Sequence, residues 1–403
     1  VIPLKSLEKT SREMEAKRAL GITMLILSAF LGTIGFRLST PAIAFYTRDI
    51  LKASMLSLSL VSVSFILARA FSALFSGILL EKGKKFLYLG AFAMAGNALI
   101  VHLYPLTTNW IQVVGIKIAN GFLNGISWPT AQFAIASASP DKIRARVTTI
   151  YFFLASVASL LGNYAYAYLA DLTLKVQMLI VSFFYLLTTL SMFLAYYFLY
   201  AYVTPKRKER KGEKLPLDPG KILAITSLIA IITAFSSGEI TYVYVSEALG
   251  IEKGMTAKLL GWISFTATAL SYLTSWKADV GMVKEMVSLI SILSAISPLL
   301  ASIKAPVTVF LGVFLALFSS QSFRPISRKV LVSYHRSSLA IGSLNAVQNL
   351  STFVGGLFFG LAYGFGEIHF LTTINLGLAS FLPFSIVLII MGRYIGRDEN
   401  EES

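Results

Sequence analysis

The chain has 403 residues, 56% of them hydrophobic and only 14% charged, with a formal net charge of +15. A soluble domain carries about 25% charged residues, so the balance excludes an ordinary water-soluble protein. Cysteine is absent, which excludes disulfides and thiolate chemistry; His102, His335 and His369 are scattered, and neither a metal site nor a cofactor is expected.

Read from the start, residues 1–18 mix acids and bases between Lys5 and Arg18, the pattern of a cytoplasmic surface helix. Apolar runs of about 20 residues then recur, each long enough to cross ~30 Å of hydrocarbon. No cleavable secretory leader is expected ahead of them. Spans are predicted at 19–46, 53–80, 86–104, 108–138, 147–170, 176–202, 222–247, 258–276, 286–303, 305–327, 338–365 and 370–392. These lengths suit helices, since barrel strands are half as long and alternate. The fold class is therefore an all-α polytopic membrane protein with twelve transmembrane helices. A basic linker at 204–221 divides it into bundles at 19–203 and 222–395, followed by a tail at 396–403.

Basic residues orient the spans. With the N-terminus in the cytoplasm, inside segments hold 25 Lys and Arg and outside segments 6. Topology thus accounts for the positive charge, and nucleic-acid binding is not expected. Both termini are placed in the cytoplasm and the protein in the plasma membrane.

The halves repeat. Glu81-Lys82-Gly83 matches Asp279-Val280-Gly281 at an offset of 198, and Trp128-Pro129 matches Arg324-Pro325 at 196. Two copies of a six-helix unit in the same orientation follow, related by an axis along the membrane normal. The segment from Arg69 through Gly77 to Glu81-Lys82-Gly83-Lys84-Lys85 resembles the signature loop between spans two and three of the major facilitator superfamily, with Glu for Asp. Trp276-Lys-Ala-Asp279-Val-Gly281 resembles its degenerate second copy. Lys117-Ile-Ala-Asn120-Gly121 resembles the span-four signature, with Lys for Arg. Gly162-Asn-Tyr-Ala-Tyr-Ala-Tyr matches the antiporter signature of span five only weakly, lacking its proline and second glycine.

The resemblance implies two six-helix bundles. Spans one, four, seven and ten line a central cavity, span two packs on span eleven, and span five packs on span eight. Those interface spans carry the small residues that close approach needs: Ala68, Ser72, Ser76; Gly356, Gly360, Gly364; Ala155, Ser159, Asn163; Ala267, Ser271, Ser275. It also implies a cytoplasmic gate in which Glu81 faces the start of span eleven, near Arg336 or Arg69.

Four charges interrupt the apolar spans: Arg37, Lys117, Glu239 and Arg324. A charge at the bilayer centre costs roughly 2.5–3.5 kcal/mol on insertion scales, so each asks for a reason. At 1.5 Å per residue, Arg37, Lys117 and Glu239 all fall ~12–13 Å from the outer ends of their spans. Glu239 is the only acid deep in any span. It pairs with Arg37 or Lys117 merely to neutralise charge, or the three bind substrate and protons. Asn120, Asn124 and Trp128 on span four and Tyr242 on span seven are candidates for the cavity wall. Arg324, ~28 Å from the outer end, suits snorkelling, a gate contact or a substrate contact.

The expected function is alternating-access transport of a small organic solute by a monomer in the lipid bilayer, coupled to protons through Glu239. Efflux of a drug-like or anionic compound is preferred from the resemblance, with proton-coupled uptake of an organic anion as the alternative. An enzyme acting on lipid-linked substrates is disfavoured, because one deep acid cannot supply paired carboxylates.

Overall fold

The computed structural model describes residues 4–140, 144–203, 218–334, 338–368 and 374–397. Among these it is helical almost throughout. In lipid every backbone N–H and C=O must be satisfied within its own segment, and long helices do this. Helix α1 runs Leu4–Phe45 and continues into a π turn, Tyr46–Ile50. The expected surface helix and the first span are thus one continuous rod; nothing between Arg18 and Ala19 breaks helix geometry.

The other helices are α2 Met55–Lys82, α3 Tyr88–Ile100, α4 Trp110–Ala138, α5 Arg144–Leu169, α6 Leu174–Leu199, α7 Pro219–Ile232 and α8 Gly238–Leu249. After them come α9 Lys253–Asp279, α10 Val283–Ser302, α11 Pro306–Tyr334, α12 Ser338–Ile368, the short α13 Leu376–Ala379 and α14 Leu382–Arg397. Side chains between the apolar runs start several of them. Ser54 Oγ accepts from Ser57 N–H at 3.1 Å, and Asn109 Oδ1 accepts from Gln112 N–H at 3.1 Å. Asp218 caps α7, whose first residue is Pro219, so an otherwise unsatisfied N–H is removed.

These helices make twelve crossings, the seventh being α7 and α8 end to end. Eight described stretches are both long and apolar enough to span a bilayer. Helices α4 and α9 have the length, 29 and 27 residues, but carry more polar side chains. Leu99, Phe92, Val307 and Ile390 point outward and exposed, as lipid-facing groups do.

In the first bundle α2 lies along α4, α1 packs on α5 and α6, and α3 fits between α4 and α6. In the second, α10 packs on α11 and α14, α9 on α11, and α12 on α7. The bundles meet where α2 packs on α12 and α5 on α9, the span pairs two–eleven and five–eight. A Cβ on Gly356 would lie 2.3 Å from Val63 Cγ1, and one on Gly360 2.6 Å from Ser59 Oγ. Gly261 of α9 is also close to α5, where a Cβ would lie 3.0 Å from Asn163 Cβ. Ser72, expected at that interface, instead fills the space beside Gly125 of α4, inside its own bundle.

Below, the end of the molecule where α1 begins is the near end and the end where α1 finishes is the far end.

Candidate functional site

The seventh crossing is broken in its middle. Helix α7 stops at Ile232, a 3-10 turn follows at Ala234–Ser236, and α8 restarts at Gly238 with φ +58°. A left-handed backbone is comfortable only for glycine among common residues, so Ser236-Ser237-Gly238 works as a hinge in the sequence. The break places Glu239 in the first turn of α8, where the positive helix end favours a carboxylate.

Glu239 is buried, and its Oε1 is paired with Lys117 Nζ. Its Oε2 accepts a hydrogen bond from Ser62 Oγ at 2.7 Å, and Ser62 Oγ accepts from the Glu239 backbone N–H at 3.1 Å. Lys117 is equally buried, with its ammonium 5.4 Å from the centre of the Phe65 ring. Lys117 stands one turn before Gly121, whose missing side chain lets α4 press against the Phe65 carbonyl of α2. One acid, one base and one hydroxyl thus tie α2 and α4 of the first bundle to α8 of the second. Two charges sealed from water retain each other, because removing either leaves an uncompensated buried ion.

Arg37 is half-buried on α1 and is not the partner of Glu239. Its Cβ sits against Gly162 of α5, and its guanidinium lies within hydrogen-bonding reach of the Tyr242 hydroxyl. Tyr242, one turn after Glu239, donates to Asn163 Oδ1 at 2.5 Å. Arg37, Tyr242 and Asn163 therefore form a second polar group beside the ion pair. Asn120 and Asn124 are placed elsewhere. Asn120 Nδ2 donates to Asn97 Oδ1 at 2.8 Å, Asn124 Nδ2 reaches the same oxygen at 3.3 Å, and Trp128 Nε1 donates to Asn124 Oδ1 at 2.9 Å. They turn toward α3 inside the first bundle, because the face of α4 carrying Lys117, Gly121 and Gly125 is taken by α2. No group of three metal-ligating side chains gathers among the described residues.

The sequence profile of the Major Facilitator Superfamily matches residues 25–355. The chain belongs to this superfamily. Its members are membrane transporters, and the protein is read as one and not as an enzyme. Solved structures share the fold at low identity. A D-xylose–proton symporter superposes with a TM-score of 0.68 at 14% identity, covering 93% of this chain and 97% of that one. A bacterial homolog of the human lysosomal transporter Spinster, inward-facing and occupied, gives 0.67 at 13%, covering 94% and 97%. The human organic anion transporter MFSD10 gives 0.64 at 13%, covering 93% and 99%. No curated protein sequence matches.

In this major facilitator chain a further set of contacts joins the bundles at the far end. Arg48 donates to both Glu247 oxygens, at 2.5 and 3.2 Å, and Tyr363 OH donates to Glu247 Oε2 at 3.0 Å. Lys253 pairs with Asp49 at 2.5 Å, and Trp262 Nε1 donates to Tyr164 OH at 2.6 Å. With the Lys117 pair, these close the far half of the molecule in layers.

At the near end the loop signature occupies the end of α2. Gly77 has open space beside it, Lys82 ends the helix, and Gly83 caps it through its N–H to the Leu80 carbonyl at 3.3 Å. Asp279 holds the equivalent corner of the second bundle, paired with Lys329 at 2.9 Å. The Glu81 side chain and Arg336 lie outside the described residues. Arg69 of α2 and Arg324 of α11 are both exposed. Ser62, Asn97 and the far-end pairs carried no signal in the sequence: a serine in an apolar helix is common, and loop charges read as solvated.

Proposed function

We propose that this protein is a proton-coupled secondary transporter of a small organic anion, working by alternating access with Glu239 as the proton carrier. The observation that supports the reading is the buried Lys117–Glu239 pair bridging the two bundles. Opening the far half separates α8 from α2 and α4, and so parts the pair. Each charge then needs a substitute. A proton satisfies Glu239, and an anionic solute satisfies Lys117, with Arg37 one step away.

This gives a sign to the coupling. An anion on Lys117 removes the cation that holds Glu239 ionised, so solute and proton bind together. Release at the near end follows when Glu239 loses its proton and reclaims Lys117. Co-binding is the linkage of a symporter, so the geometry supports uptake of an anion over its efflux. Efflux requires solute and proton to exclude each other, which suits a cation competing for Glu239. The near end is the cytoplasmic one by the distribution of Lys and Arg, and a single central site makes the monomer sufficient.

The test is the direction of proton movement when organic anions are added to purified protein in weak buffer. Uptake on binding, lost in Glu239→Gln while binding persists, is the expected result. Proton release would reverse the assignment to antiport. Unchanged uptake in the Gln variant would remove Glu239 from the coupling.

A further inference from the structure

Helix α8 begins without a cap of its own. Ser237 stands at its N-cap position with φ −104° and ψ 132°, the extended backbone an N-cap takes, yet its hydroxyl makes no capping bond. An N-cap serine ordinarily accepts from the N–H of the second or third helical residue. Here the second is Glu239, and its N–H goes to Ser62 Oγ at 3.1 Å. Ser62 is buried on α2, in the other bundle. Its own proton goes to Glu239 Oε2 at 2.7 Å. One hydroxyl thus caps α8 from across the bundle boundary and holds the carboxylate of the residue it caps.

Opening the far half carries α2 away from α8 and strips the Glu239 N–H of its partner. A backbone N–H in a membrane span cannot stay unpaired without cost. Ser237 already has the backbone of a cap, so turning its side chain between staggered rotamers is the only change the replacement needs. The carboxylate is not compensated in the same way. On opening it loses Ser62 together with Lys117 of α4. Arg37 of α1 packs against Gly162 of α5 instead. Helices α9 and α11, which also pack on α8, carry no charged side chain between Lys258 and Lys277 or between Pro306 and Arg324. The backbone therefore keeps a partner in both states, and the carboxylate keeps Ser62 in one.

We propose that α8 exchanges its cap during the transport cycle, Ser62 holding it while the far half is shut and Ser237 while it is open. Ser62 is then a positioning residue for Glu239: it fixes the ionised carboxylate beside Lys117 in the shut state only. The exchange itself rests on the bundles parting at the far end. Its consequence for protons rests on the reading of Glu239 as the proton carrier, since the movement that frees the carboxylate leaves the helix that bears it capped and in place.

The test uses the full chain in nanodiscs, with spin-label distances across the far end. Glu247→Gln serves as the background, because freeing that junction lets the far-open population be read in both directions. Ser237→Ala should lower the far-open population about fivefold, the loss of one cap in the open state alone. It should melt with its parent, because its hydroxyl caps nothing in the shut state. Ser62→Ala should raise the far-open population about fivefold, the loss of its bond to the carboxylate. Once Ser62 is gone, Ser237 caps α8 in both states, so adding Ser237→Ala to Ser62→Ala should change the population by less than about twofold. In infrared difference spectra against Glu239→Gln, the Glu239 carboxylate stretch should shift in Ser62→Ala and stay in place in Ser237→Ala. An unmoved stretch in Ser62→Ala would reduce Ser62 to packing. A Ser237→Ala population equal to its parent or above it would overturn the exchange, as would independent effects of the two substitutions. None of these readings uses solute or a pH gradient. Solute-driven proton uptake is measured separately, so failure of the cap exchange is distinguishable from failure of the coupling reading.

Discussion

Gly238 is the residue on which the central site turns. Its φ of +58° lets α8 restart with Glu239 in the first turn, and a Cβ there would lie 3.3 Å from Ser62 Oγ. Alanine at this position meets the left-handed penalty of about 1–2 kcal/mol and crowds the hydroxyl that holds Glu239. Gly238→Ala should therefore lower the melting temperature and weaken proton coupling together. Gly238→Asn should lose less, because asparagine tolerates this backbone. Equal melting of the alanine variant and the wild type would refute the hinge. The charges at this scale were legible in the sequence: Lys117 and Glu239 stood out because an ion in an apolar run is costly. Their pairing was legible only as one of two options, since depth along a helix does not fix which face a side chain takes. Facing explains Asn120 and Asn124 too, which share a helix with Lys117 yet turn toward Asn97.

At the scale of elements, the contact between α2 and α12 decides whether the far half can close. Gly360 meets Leu56 backbone and Ser59, with a Cβ placed 2.8 Å from Leu56 Cα. Backbone cannot rotate away as a side-chain end can. Gly360→Val should therefore hold the two helices apart and favour an open far half, while Gly364→Val, with open space around it, should change nothing. Spin-label distances between the far ends of α2 and α12 check this; a Gly360→Val population matching the wild type would sink it. Pairing of these spans was implied by the family resemblance; the stripes agree with it on α12, where Gly356 and Gly360 meet α2, but α2 makes the contact through Leu56, Ser59 and Val63 and not through Ser72. The split of span seven did not follow. Its apolar run continues through Ala234 and Phe235, and one glycine inside a hydrophobic span does not announce a break.

At the scale of the whole molecule, an outer layer of contacts and the inner Lys117–Glu239 pair hold the far half shut, and the ion pairs of the outer layer differ in strength. The Lys253–Asp49 pair is well exposed, and such pairs contribute little after screening. Glu247 is better placed: it takes both arms of Arg48 and the Tyr363 hydroxyl, and so joins α1, α8 and α12. A bidentate, partly buried pair of this kind contributes about 1 kcal/mol, enough to move a two-state population severalfold. Glu247→Gln should raise the far-open population by about fivefold, while Asp49→Asn should leave it within about twofold. Adding Glu239→Gln removes the inner layer as well. If the layers act in series on one closing motion, with no shared partner, their effects should multiply. Spin-label distances across the far end, at low and high salt, measure each population. High salt should mimic Asp49→Asn and barely touch the inner layer, which is sealed from ions. A far end that opens as readily in Asp49→Asn as in Glu247→Gln would show that surface charge alone, and not the Glu247 junction, holds the transporter closed.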